Sequence, residues 1–229
     1  MTDRGTTTEL KFLASASAGE VSAILHRPSA ARWLYVFGHG AGAGMRHRFM
    51  EDTAITLGEH GVATFRYQFA YQENRSRRID PTPILLATVR SAVDAAHRAA
   101  PDLPLLAGGK SMGGRMTSLA ASKEPLPGVK GLAFFGFPLH PTGRPDQSRG
   151  DHLAQVTVPM LFLQGTRDTL ADLDLLRPIV DQLGARAILH IVDGADHGFN
   201  VLKRSGRTPI DVMDELTGTM EGWAESLPR

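Results

Sequence analysis

Along the chain, short runs of continuous apolar residues take turns with longer stretches in which apolar positions recur every three or four residues. Near the N-terminus, residues 9–13 (ELKFL) and 20–25 (EVSAIL) are strand-like and split by Ser, Ala and Gly, the pattern of an antiparallel hairpin at a sheet edge. From residue 33 the character changes. Residues 33–37 (WLYVF) are apolar throughout, as a strand covered on both faces must be. Residues 49–60 carry Met50, Ala54 and Leu57 at helical spacing, with Gly61 as a stop, and 61–67 (GVATFRY) reads as the next strand. The arginine-rich stretch 72–80 predicts a loop. Pro81 and Pro83 then open a helix to about Ala100, its apolar face set by Leu85, Leu86, Val89, Ala92, Val93 and Ala96. Residues 104–107 (PLLA) predict a strand that leads into glycines, and 115–121 a helix that leaves them. Further strands are expected over 131–137, 158–164 and 187–192, with helices over 173–183 and about 208–224.

An antiparallel start followed by regular alternation of strand and helix predicts an α/β protein. Its sheet should be doubly wound and mostly parallel, with helices on both faces, an antiparallel N-terminal edge and sites at the carboxyl ends of the strands. No repeat, linker or low-complexity tail breaks the pattern, and 229 residues suit one domain over 1–229.

Composition narrows the chemistry. A formal net charge of +1 gives no electrostatic case for nucleic acid or an anionic membrane. The absence of cysteine excludes disulfides, thiolate metal sites and thiol nucleophiles. Residues 14–18 (ASASA) could pass for a cleavage site, but the polar segment before them has no apolar core, so no signal peptide is expected. No apolar run reaches the length of a membrane span. The expectation is a cytoplasmic protein acting on a small molecule, with no cofactor or metal and with its oligomeric state open.

The glycines at 108–114 surround Gly109-Lys110-Ser111-Met112-Gly113, a G-x-S-x-G pattern at a strand-to-helix turn. A serine on so tight a turn is strained, and the residues two before and two after it must lack a β-carbon. Gly109-Lys110-Ser111 is also the tail of a phosphate-binding loop, but the first glycine of that motif would fall on Pro104 and the loop is too short. A nucleophilic serine needs a histidine and a carboxylate, which in such a sheet follow in the order serine, acid, histidine. Asp168 follows the strand at 158–164 and His197 follows the strand at 187–192. Asp193 and Asp196 are rival acids, with turn formation at Gly194 as their alternative role.

The segment 38–44 (GHGAGAG) lacks the third glycine of a dinucleotide fingerprint, and no acid follows the next strand. It suits half of an oxyanion hole, with Ala41 as backbone donor, Gly42 as the near alternative and Met112 as the second donor. His39 is expected to organise that loop rather than bind metal.

With these blocks in place, the chain resembles the α/β-hydrolase superfamily over essentially its whole length. More closely it resembles the small lid-less group related to dienelactone hydrolase, whose blocks stand here as GHGAG at 38–42, GKSMGGR at 109–115, GFPLHP at 136–141, QGTRD at 164–168 and DHGF at 196–199. Dienelactone hydrolase itself is similar to a cysteine-nucleophile enzyme, so the resemblance implies its fold and triad rather than its reaction. What it implies is a serine hydrolase acting on esters or thioesters, with a non-catalytic binding or scaffold module on the same fold as the alternative. The interval 140–158 leaves no room for a lid. An open cleft favouring short or polar acyl groups over long lipid chains is therefore expected, with Lys110, Arg115, His140 and Arg144 as candidate edges.

Overall fold

The computed structural model describes residues 5–228. Eight strands form one sheet: β1 (Thr6–Ser15), β2 (Gly19–Arg27), β3 (Trp33–Gly38), β4 (Val62–Tyr67), β5 (Leu105–Lys110), β6 (Val129–Phe135), β7 (Met160–Gly165) and β8 (Ala187–Val192). Their order is β1-β2-β4-β3-β5-β6-β7-β8. The first two pairings, β1 with β2 and β2 with β4, are antiparallel, and the remaining five are parallel. The expected sheet, with its antiparallel N-terminal edge, is the one observed.

Among the described residues are six α-helices, five between strands, α1 (Arg48–Glu59), α2 (Ala70–Glu73), α3 (Thr82–Ala99), α4 (Met112–Lys123) and α5 (Leu173–Leu183), and α6 (Pro209–Glu225) after β8. Alternate residues of each buried strand face opposite layers, which is why the strands read as unbroken apolar runs. Trp33, Tyr35 and Phe37 pack with Met50 and Leu57 of α1 and with Leu216, Met220 and Trp223 of α6. Leu34 and Val36 point the other way, into a core shared with α3, α4 and α5. Local signals set the helix starts. Proline stands in the first turn of α3, and Thr208 and Asp211 form a reciprocal capping box on α6.

Two elements differ from the sequence reading. Strand β5 continues through Gly108 and Gly109 to Lys110, because residues without side chains send no apolar signal but still pair with β3 and β6. The one-turn helix α2 occupies the approach to the arginine-rich loop, where Gln72 and Glu73 were expected in the loop itself.

The strand order reverses between β3 and β5, whose ends are in register at Gly38 and Gly109. Open α/β sheets bind ligands at such a reversal, beyond the carboxyl ends of the strands. Both glycine-rich loops of the chain emerge there.

Candidate active site

Ser111 is the hinge between β5 and α4, with φ 50° and ψ −115°. A non-glycine residue in this region costs about 1–3 kcal/mol and persists only where its surroundings impose it. The Ser111 amide donates to the Phe135 carbonyl at 3.1 Å, and its own carbonyl accepts the Arg115 amide at 3.1 Å. The turn is backed by close backbone packing. A β-carbon on either Gly109 or Gly113 would land on the Gly38 carbonyl, so β5, α4 and β3 meet main chain to main chain only because both positions are glycine.

His197 and Asp168 come to Ser111 from the loops after β8 and β7. Ser111 Oγ and His197 Nε2 lie 2.9 Å apart, and His197 Nδ1 and Asp168 Oδ2 lie 2.7 Å apart. An ionised carboxylate can only accept, so the ring proton sits on Nδ1 and Nε2 is free to accept from the serine hydroxyl. The Asp168 side chain is fully buried. Three N–H groups support its charge there: His197, the Gln164 side-chain amide at 2.5 Å on Oδ2, and the Leu170 backbone amide at 2.8 Å on Oδ1. The same Gln164, wholly buried, accepts the Phe137 amide at 2.9 Å through its Oε1. The rival acids are occupied elsewhere. Thr166 donates to Asp193, and Asp196 accepts the amides of Gly198 and Asn200.

Lys110, beside the serine, braces the histidine loop. Its Nζ donates to the His197 carbonyl at 2.6 Å and stands 5.4 Å and 5.7 Å from the ring centres of Phe199 and Phe49. Loss of hydration lowers its pKa to about 8, against the opposing pull of Asp168 and Asp196. This contact joins residues 87 apart in sequence, and nothing in the local pattern around Lys110 signals it.

In the loop after β3, His39 is buried, and its Nε2 accepts the Phe69 amide at 3.1 Å. The ring is therefore the Nδ1–H form and donates to the Gly40 carbonyl at 2.7 Å. Burial lowers its pKa to about 4. Holding the Gly40 carbonyl fixes the whole 40–41 peptide plane; in a trans peptide, the Ala41 N–H points the opposite way from that carbonyl. Gly42 N–H donates to the Tyr71 hydroxyl at 3.1 Å. Ala41 and Ser111 line the same cavity. Met112 is the first residue of α4, where a helix leaves its amides without intrahelical acceptors.

Residues 31–225 match the family model described as an alpha/beta hydrolase domain. The chain belongs to the alpha/beta hydrolase family. Among solved structures, a dienelactone hydrolase from Anabaena variabilis is 19% identical, with a TM-score of 0.75 over 99% of this chain and 100% of the other. A lid-less alpha/beta serine hydrolase from Xanthomonas campestris is 19% identical, with a TM-score of 0.73 over 97% and 96%. Est1E from Butyrivibrio proteoclasticus is 17% identical, with a TM-score of 0.71 over 95% and 99%.

Between β6 and β7 this chain inserts little: a 3-10 helix over Ser148–Gln155 and its flanking turns. Of the four cationic edges expected from the sequence, only Lys110 lines the cavity beside Ser111. His140 instead accepts the Asp172 amide at 2.8 Å and braces the turn after Asp168. Arg144 is exposed, and neither it nor Arg115 reaches the cavity.

Proposed function

We propose that this chain is a serine hydrolase that cleaves small carboxylic esters, thioesters included, through an acyl-enzyme. The observation that carries the reading is the hydrogen-bonded series Ser111, His197 and Asp168, with the serine on a strained turn at the strand-order reversal. His197 Nε2 takes the hydroxyl proton as Ser111 Oγ attacks the carbonyl carbon. Buried Asp168 holds the ring in the required tautomer and stabilises the imidazolium. The imidazolium then protonates the leaving oxygen or sulfur. Water, activated by the same histidine, attacks the acyl-serine and releases the acid.

The developing oxyanion is assigned to the amides of Ala41 and Met112. Gly42, the alternative donor, is engaged by Tyr71, and the peptide orientation set by His39 favours Ala41. Such donors are each worth about a hundred- to a thousand-fold in rate. These steps use only side chains, backbone amides and water. The names of similar proteins, a dienelactone hydrolase and two described as esterases among them, support ester bonds as the target.

The test is labelling with a fluorophosphonate, read by intact mass. A single adduct is expected on wild type, none on Ser111→Ala, and strongly slowed labelling on His197→Ala. Folded wild type that takes no adduct would favour a non-catalytic binding module instead.

A further inference from the structure

The cavity beside Ser111 has a shape and lining that specify one arm of the substrate. About 630 Å³ opens between the N-terminal ends of α1 and α6, which share one face of the sheet. Away from the serine its walls are Phe49 and Met50 from α1, Met213 and Leu216 from α6, and Phe199 from the histidine loop.

Phe199 is placed there at a backbone cost. Its φ of 62° lies in the left-handed region, which a bulky residue adopts only under constraint. The constraint comes from Asp196, whose carbonyl accepts the Phe199 amide at 2.9 Å and whose carboxylate holds the amides on either side. The result is a ring set nearly parallel to Phe49, 16° between planes and 5.8 Å between centres. Met213 meets α1 here, its sulfur 3.5 Å from the Thr53 hydroxyl, which donates to the Phe49 carbonyl at 2.6 Å.

The polar side chains at this wall already have partners: Lys110 with the His197 carbonyl, Asn200 with Asp196, Arg48 with Asp52, and His47 with the Phe49 amide. The largest surfaces of the walls are apolar, the rings of Phe49 and Phe199 and the side chains of Met50, Val212, Met213 and Leu216, so an apolar arm gains burial here without giving up hydrogen bonds to water.

We propose that this hydrolase takes esters or thioesters with one apolar arm, alkyl or aryl, of about four to eight carbons, lodged between α1 and α6 against Phe199, Met213 and Leu216. The inference rests on Ser111 being the nucleophile and adds the substrate class. With no lid, the other arm leaves through the open mouth and is not selected by size.

The experiment compares kcat/KM for p-nitrophenyl acetate, butyrate, hexanoate, octanoate and decanoate on wild type and Met213→Trp. Each buried methylene is worth about fourfold. Hexanoate should therefore exceed acetate on the order of 100-fold, with no further gain beyond octanoate. In Met213→Trp the hexanoate-to-acetate ratio should fall at least about tenfold, because the indole fills the space of about three methylenes. A flat or falling series on wild type overturns the inference, as does an unchanged ratio in folded Met213→Trp. Binding of hexanamide and acetamide to Ser111→Ala, followed by ligand-observed NMR, reads the same subsite without turnover. Hexanamide should bind at least about tenfold tighter, and equal binding overturns the subsite. Fluorophosphonate labelling with a flat ester series rejects the subsite and leaves the hydrolase reading standing. Selective hexanamide binding without labelling or turnover rejects the hydrolase reading and keeps the subsite.

Discussion

Replacing Lys110 with methionine should separate stability from activity. At pH 7 the wild-type ammonium is charged in both the folded and unfolded states, and its pKa falls from 10.5 to about 8 on folding. A depression of that size means the folded state carries the charge at a penalty of about 3 kcal/mol. Against this stand a charge-assisted hydrogen bond to His197, worth about 1.5–3 kcal/mol, and contact with two aromatic rings. Methionine fills similar space and packs well against aromatic faces, so unfolding free energy at pH 7 should change by less than about 1 kcal/mol. The His197 carbonyl, however, loses the donor that anchors its loop. Ester kcat/KM should therefore fall about 10- to 100-fold, the equivalent of that hydrogen bond. The pH dependence supplies an independent check. Between pH 8 and 10.5 the unfolded chain holds a proton that the folded chain has lost, so this group makes wild type more stable as pH rises through that window. The contribution is complete above 10.5 and absent below 8, and Lys110→Met should lack it. Urea unfolding of both proteins at pH 7 and 9.5, with ester kinetics at pH 7, reads all three quantities. A variant that loses 3 kcal/mol or more but keeps its activity would refute the reasoning, as would an identical pH response in the two proteins.

Other outcomes follow from single contacts. Gly113→Ala should cost more than about 3 kcal/mol or prevent soluble expression, because the methyl lands on the Gly38 carbonyl, whereas Gly222→Ala on an exposed turn of α6 meets nothing and should stabilise by about 0.5–1 kcal/mol. Thermal unfolding of the pair decides this. Gln164→Leu leaves the buried Phe137 amide without an acceptor and takes one donor from Asp168, so a loss of about 2–4 kcal/mol is expected in denaturant titration, together with slower fluorophosphonate labelling. His39 is neutral when folded, with its pKa lowered to about 4, while the unfolded chain takes up the proton near the ordinary value of 6.5. Its contribution is full above 6.5 and should decline by about 3 kcal/mol as pH falls to 4, measurable by unfolding at stepped pH; a stability profile flat across that range would count against a buried neutral His39.

Much of the architecture is local information. Continuous apolar runs mark strands buried on both faces, helical spacing marks their covers, and the antiparallel edge shows in the split segments before residue 33. The relative order of Ser111, Asp168 and His197 is legible for the same reason: each stands just past a strand, and parallel strands deliver their following loops to one edge. The reach of β5 was not legible, because Gly108 and Gly109 carry no side chain to report that their backbone stays in the ladder.

The sequence by itself thus determined the sheet, the turn chemistry around Ser111 and the three residues that could form a hydrogen-bonded series. Periodicity, glycine requirements and turn signals all act over a few residues. Tertiary structure decided what surrounds them. It placed Gln164 on the Asp168 carboxylate, joined Lys110 to a carbonyl 87 residues away, committed Gly42 to Tyr71 and left Ala41 lining the cavity. It also kept Lys110 at the cavity but turned Arg115, His140 and Arg144 away from it, and added an apolar wall drawn from α1, α6 and the histidine loop. These outcomes depend on which faces meet after the sheet closes its layers, and side chains brought together by packing leave no periodic trace in the chain.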